Sequence, residues 1–158
     1  MPRLGLSLVG ALFLVALVVP NLAWTRTKPA GYDPSGENRV LQGFERAGQA
    51  LTTVAALVFA DTNLRPWSPS TWWLVAAVVL MAAYEACWVR YFRSARTLRD
   101  FYRSLAGIPV PLACLPVAAF VLLGVYGRAW PLVAAAAVLG VGHIGIHLQH
   151  RRTLVAGG

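Results

Sequence analysis

The chain has 158 residues, of which 58% are hydrophobic and 13% charged, with a mean hydropathy of +0.59. So much apolar sequence, laid out in long runs, excludes a water-soluble domain and reads as an all-α integral membrane protein. Fourteen Lys+Arg against six Asp+Glu make the chain basic, at +8. The basic residues lie between apolar runs, which points to the lipid bilayer and its anionic headgroups as partners and argues against nucleic acid.

Span one covers about residues 4–24. Its short basic start resembles a secretory signal, but a small-residue cleavage site is poorly formed. Pro20-Asn21 near its end loosens the last turn, with the Asn21 amide placed to satisfy a freed backbone group. Residues 25–37 are loop by composition. Asn38 then opens a helical pattern. Asn38, Gln42, Glu45, Gln49 and Thr52 recur at spacings of three and four, with Arg39 and Arg46 beside them and Leu41, Phe44 and Leu51 opposite. This is span two, about 40–60. It crosses only if its polar stripe faces protein or water, because polar groups facing lipid are costly.

Asp61 to Ser70 is a turn-rich loop. Span three, about 71–92, starts beneath Trp67, Trp72 and Trp73, an interfacial aromatic belt. Glu85 lies inside it, and a carboxylate at mid-depth costs about 2.5–3.5 kcal/mol on insertion scales. Between about 93 and 106, four arginines take one helical face and Leu98, Phe101, Tyr102 and Leu105 the other. The pattern predicts an amphipathic helix lying in the headgroup region. Span four, about 108–126, carries Pro116. Span five, about 131–149, carries Gly140, Gly142 and Gly145, which permit close helix approach. It ends in His143, His147 and His150, the chain's three histidines. Residues 151–158 read as a short tail. Cys87 and Cys114 have no CxxC spacing and read as apolar fillers.

The fold expected is therefore one polytopic domain, a five-transmembrane-helix bundle with one interfacial helix. Five spans place eleven of the fourteen Lys+Arg on one side. The positive-inside rule makes that side cytoplasmic, in a multi-pass cell-membrane protein with its N-terminus outside and its C-terminus inside. A cleaved signal peptide would export the basic segment 25–46, so span one is kept.

In this orientation the polar residues of spans two, three and five share the cytoplasmic leaflet. Glu45, Glu85, His143 and His147 are candidates for acid–base chemistry, since burial moves a carboxylate's proton affinity toward neutrality. Asn38, Arg39, Gln42, Arg46, Gln49 and Arg90 are candidates for ligand binding, the arginines through an anionic head. The spacing of His143 and His147 offers two imidazoles to a divalent metal, with Glu85 as third ligand and Glu45 next. Haem ligation lacks a second histidine-bearing helix.

Arg39-Val40, and Arg90-Tyr91-Phe92 followed by arginines, resemble the membrane-associated glutathione and eicosanoid enzymes. That family has four spans and an Asn and a Glu in its second-span motif, where this chain reads RVLQGFERAGQ, so no residue is carried over. The HxxxH of span five is similar to that of membrane metal-dependent hydrolases related to ceramidases, which have seven spans and further ligand motifs. The functional expectation is a polar pocket that binds, and chemically modifies, an amphiphilic or lipid-like ligand. The alternatives are a proton-coupled transporter or channel subunit, whose pore would need a homo-oligomer, and a structural subunit of a membrane complex.

Overall fold

The structure, a computed structural model, describes residues 2–156. Six α-helices follow one another: α1 (Leu8–Thr25), α2 (Arg39–Val58), α3 (Thr71–Phe92), α4 (Leu98–Phe101), α5 (Pro111–Gly127) and α6 (Trp130–Ala156), with a 3₁₀ turn at Ala60–Thr62. Among the described residues there is no strand, only isolated bridges between Leu4 and Phe59 and between Leu105 and Ile108.

The helix starts have local causes. The Ser7 hydroxyl accepts from the Gly10 amide at the head of α1. The Asn38 side-chain oxygen accepts from the Val40 and Leu41 amides at the head of α2, satisfying two donors that the helix cannot. Pro111 opens α5, where its missing N–H costs nothing. Arg128, left-handed at φ 51°, ends α5, and α6 starts again two residues later. The kink-prone turn of α1 is repaired as its sequence suggests: Asn21 Nδ2 donates to the Leu17 carbonyl and to the Tyr84 hydroxyl, both at 2.7 Å.

Helix α2 runs along α6, α6 packs on α5, and α5 on α3; α1 lies across α2, α3 and α5. The α2–α6 seam is set by glycine. A Cβ at Gly142 would overlap the backbone of Glu45 and Leu41, and one at Gly48 would overlap that of Leu139. Without a hydrophobic force between helices in lipid, such close backbone contact is a main source of association. Helix α1 meets α2 closely at one level, where Gly10 sits against the Ala56 carbonyl.

The connections gather at two ends. One holds the N-terminal residues, the turn after α2 and the α5–α6 joint, and is centred on Asn63. Its side-chain oxygen accepts from the Leu8 amide at 2.7 Å and its Nδ2 donates to the Leu6 carbonyl at 2.9 Å. Tyr126 donates to the Asn63 carbonyl at 3.0 Å, and Ser7 and Thr62 share a buried hydroxyl contact of 2.6 Å. Trp67, Trp72, Trp73 and Trp130 stand exposed around this end. The opposite end holds the α1–α2 loop, the α3–α5 connection and the three histidines. Helices α1, α3 and α6 are long and apolar enough to cross a membrane; α5 is apolar but shorter.

Three expectations are corrected. The interfacial helix over 93–106 does not form. Arg96 turns left-handed at φ 56°, and a Thr97–Asp100 capping box starts only the four-residue α4. Phe101 and Tyr102 are buried within the protein, against Trp24, Trp88 and His147, so the apolar face covers the bundle and not lipid. Residues 151–156 are no loose tail: α6 continues to Ala156, because nothing from His150 to Val155 breaks a helix. Residues 4–7 are extended, not helical, since Gly5 and Ser7 donate backbone bonds to Val58 and Leu57.

Candidate functional site

Two carboxylates bracket the histidine face of α6. His143 Nδ1 lies 2.6 Å from Glu45 Oε1, deep in the α2–α6 seam, with both side chains half-buried. This contact follows from Gly142, which brings the Glu45 backbone against α6. At the wet end His150 Nε2 lies 2.9 Å from Glu37 Oε1. Gln42 Nε2 donates to the other Glu37 oxygen at 3.1 Å, and Tyr32 completes the group at 3.5 Å. His147 stands between: its ring is 4.5 Å from that of His143, and 5.7 and 5.8 Å from those of Phe101 and Tyr102. Tyr32 and Tyr102 stack on the two sides of His150, at 5.3 and 6.1 Å. The result is a continuous file, Glu37–His150–Tyr102–His147–His143–Glu45, from the loop end into the bundle.

Burial and the neighbouring charges of Glu37 and Glu45 push the Tyr32 hydroxyl up to about 12. Burial, then Tyr32 and Glu37, also raise Tyr102. Both phenols stay protonated at neutral pH, and the Tyr32 hydroxyl donates to Glu37 Oε1. A carboxylate on one ring nitrogen fixes an imidazole's tautomer and leaves the other nitrogen for proton transfer.

Beyond His143 the file opens onto a groove of about 360 Å³ between α1, α2, α5 and α6. Its walls are apolar, including Leu14, Leu17, Val18, Val117 and Phe120, and its polar points are Asn21, Thr25, Gln49, Thr52, Thr53 and His143. Thr52 is 1% exposed and its hydroxyl has no hydrogen-bond partner. An unpaired buried hydroxyl costs about 1–3 kcal/mol, and this one stands behind the groove wall without a partner among the described residues.

The remaining expected site residues divide. Asn38 caps α2, and its amide N–H donates to Gln149 Oε1 at 3.2 Å. Gln42 supports Glu37, and Gln49 borders the groove. Arg39 and Arg46 are exposed on α2. Arg90 is committed to structure, donating to the Arg103 and Ser104 carbonyls at 2.8 and 3.2 Å. Glu85 does not meet the histidines. It lies on α3, which packs on α5 and α1, and its buried Oε1 is unpartnered.

The metal set of His143, His147 and Glu85 is therefore not assembled, and among the described residues no three His, Cys, Asp or Glu side chains group as metal ligands. Equal depth placed Glu85 level with the histidines, but α5 stands between the two helices. Two residues absent from the sequence reading, Glu37 and Tyr32, complete the file. They lie in a loop with no periodicity, and the signal was only an acidic residue next to the Asn38 cap.

Comparison with protein-family models, curated proteins and solved structures finds no match, so the two partial resemblances gain no support.

Proposed function

We propose that the protein crosses the membrane five times, with the histidine end in the cytoplasm, and binds an amphiphilic, lipid-like ligand in the α1–α2 groove. Eleven of the fourteen Lys+Arg lie in segments that meet at the histidine end or in the adjoining helix turns, which supports this orientation by the positive-inside rule. The apolar walls take the ligand's chain. Gln49 and His143 take its polar atoms, and the Glu45–His143 pair acts on the ligand as base and acid.

The observation that carries this reading is a groove with apolar walls and a few polar points that ends at a carboxylate-held histidine. Native mass spectrometry of the purified protein tests it. The wild type should retain an amphiphile, and Val18→Trp, which fills the groove from a half-exposed position, should lose it while melting normally. The same ligand load in both would overturn the reading. Loss of lipid turnover in Glu45→Gln with binding retained would support the acid–base role; unchanged turnover would remove it.

A second reading is proton-coupled transport, and the file of His150, His147 and His143 favours it. It predicts that adding the amphiphile to proteoliposomes moves protons, and that His147→Phe stops this.

A further inference from the structure

The cations of the histidine end are not all used. Arg90 holds backbone carbonyls, but Arg26, Lys28 and Arg96 line one recess of about 420 Å³ between the α1–α2 loop and the segment after α3. No carboxylate lines it. None of the three forms an ion pair among the described residues. The acid nearest in sequence, Asp100, is occupied: it accepts from the Thr97 amide and hydroxyl at 3.0 and 2.9 Å, which holds its carboxyl below the usual range.

Each cation is placed by something other than an ion pair. The Arg26 amide caps α1 on the Ala23 and Trp24 carbonyls. The Lys28 ammonium sits 5.3 Å above the Trp24 ring and 5.9 Å from Tyr32. Arg96 keeps a left-handed backbone at φ 56°, with its amide on Ser94 Oγ and its Nε on the Phe92 carbonyl. A non-glycine residue in that region costs free energy, and here it is spent on bringing a third positive charge to the recess. Three like charges around one opening repel one another unless an anion joins them.

The depth of the recess indicates what that anion is. Val19 lies seven residues, two helical turns, before Arg26 on the same face of α1, and Val89 lies in the last turn of α3, ahead of the turn that carries Arg96; both valines are exposed. Arg26 thus stands about 10 Å along the axis from bare apolar helix, the spacing of a headgroup above its acyl chains, and Lys28 and Arg96 share its recess. We propose that this recess is a binding site for the phosphate of an anionic phospholipid in the leaflet at the histidine end. Two guanidinium forks and an ammonium match a phosphomonoester, with its higher charge, better than a phosphodiester. This site lies on the α3 side of α1, and the proposal does not depend on the α1–α2 groove.

The test uses full-length protein in detergent, titrated with phosphatidic acid, phosphatidylglycerol and phosphatidylcholine and read by native mass spectrometry. The expected order of retention is phosphatidic acid, then phosphatidylglycerol, then phosphatidylcholine. Arg26→Gln/Lys28→Gln/Arg96→Gln should weaken phosphatidic acid about tenfold. Arg39→Gln/Arg46→Gln/Arg152→Gln, which removes the same charge elsewhere at this end, should change it less than about twofold. Lys28→Gln alone, at a position with no backbone role, should weaken it about threefold and keeps the test sound if the triple variant is unstable. Equal loss in both triple variants would overturn the proposal in favour of general charge. Equal retention of all three lipids would overturn it outright. Displacement of phosphatidic acid by equimolar inorganic phosphate would overturn the lipid assignment and leave a free-anion site. Val18→Trp should leave retention unchanged, which separates this site from the groove.

Discussion

The two ends of the bundle solve the same problem in different ways. At the Asn63 end, the polar groups of three connections are spent on one another: one carboxamide serves Leu6 and Leu8, and Asp61 accepts the backbone and side chain of Arg3 at 2.5 and 2.7 Å. At the histidine end, acids are paired with histidines and several cations are left without a carboxylate. The first arrangement closes an end. The second keeps titratable and charged groups available, which is what binding or proton transfer needs. Function is therefore sought at one end only, although both are hydrogen-bonded.

The difference can be broken in order of expected effect. Gly142→Val should be the most damaging, because its side chain would meet the Glu45 and Leu41 backbone. About 3 kcal/mol of stability should be lost, with the Glu45–His143 contact, as read by unfolding in mixed micelles. An unchanged midpoint would mean that the α2–α6 seam is not held by backbone approach. Asn63→Ala comes next. It removes the side-chain acceptor at the head of α1 and a donor to Leu6, so about 1–2 kcal/mol should go while the histidine end keeps its ligand behaviour.

The smallest effects are in pH, and they have opposite signs. Hydrogen bonds from Arg3 hold the Asp61 carboxyl below its ordinary 3.8, so its contribution is present above that value and lost as pH falls through the lowered one. Tyr32 is raised from 10.0 to about 12, so its contribution is full below pH 10 and lost as pH rises toward 12. Melting curves across pH should show the acid limb flattened in Asp61→Asn and the alkaline limb flattened in Tyr32→Phe. As the Arg3 side chain is largely exposed and its backbone amide would stay on Asp61, Arg3→Ala should cost less than about 1 kcal/mol. If either variant flattened the other limb, the two ends would not be independent.

Much of this contrast is legible in the residue order. Long apolar runs reveal α1, α3 and α6, and the three-and-four spacing from Asn38 to Thr52 turns Glu45 and Thr52 inward, but Leu41, read on the opposite side, packs on Gly145 of α6 and Gln49 stays exposed. What the order conceals is which helices are neighbours. Glu45 and Glu85 lie at similar depth, yet only Glu45 reaches His143, because the seam glycines bring α2 against α6 while α5 stands between α3 and α6. The arginine-rich segment misleads for a related reason. Periodicity marks an apolar face without saying whether protein or lipid covers it, and the Thr97–Asp100 box, which does shorten the helix, is a pattern of two residues. Tyr32 and Glu37 are invisible to periodicity, since a loop is positioned by its contacts and not by its repeat.

The close contact at Gly10 and Ala56 has one more consequence, which is metric. It lies one turn beyond Leu14 and Thr52, the groove residues nearest to it, and the lining of α1 runs from Leu14 to Thr25, about 16 Å at 1.5 Å per residue. If the proposed amphiphile lies in this groove, that length is a ruler: a chain that fits would be held along its whole length, and a longer one would fold back or protrude. Leu14→Trp should shorten the scale and shift the retained amphiphiles toward shorter chains by mass spectrometry; an unshifted chain-length profile would show that the groove does no measuring.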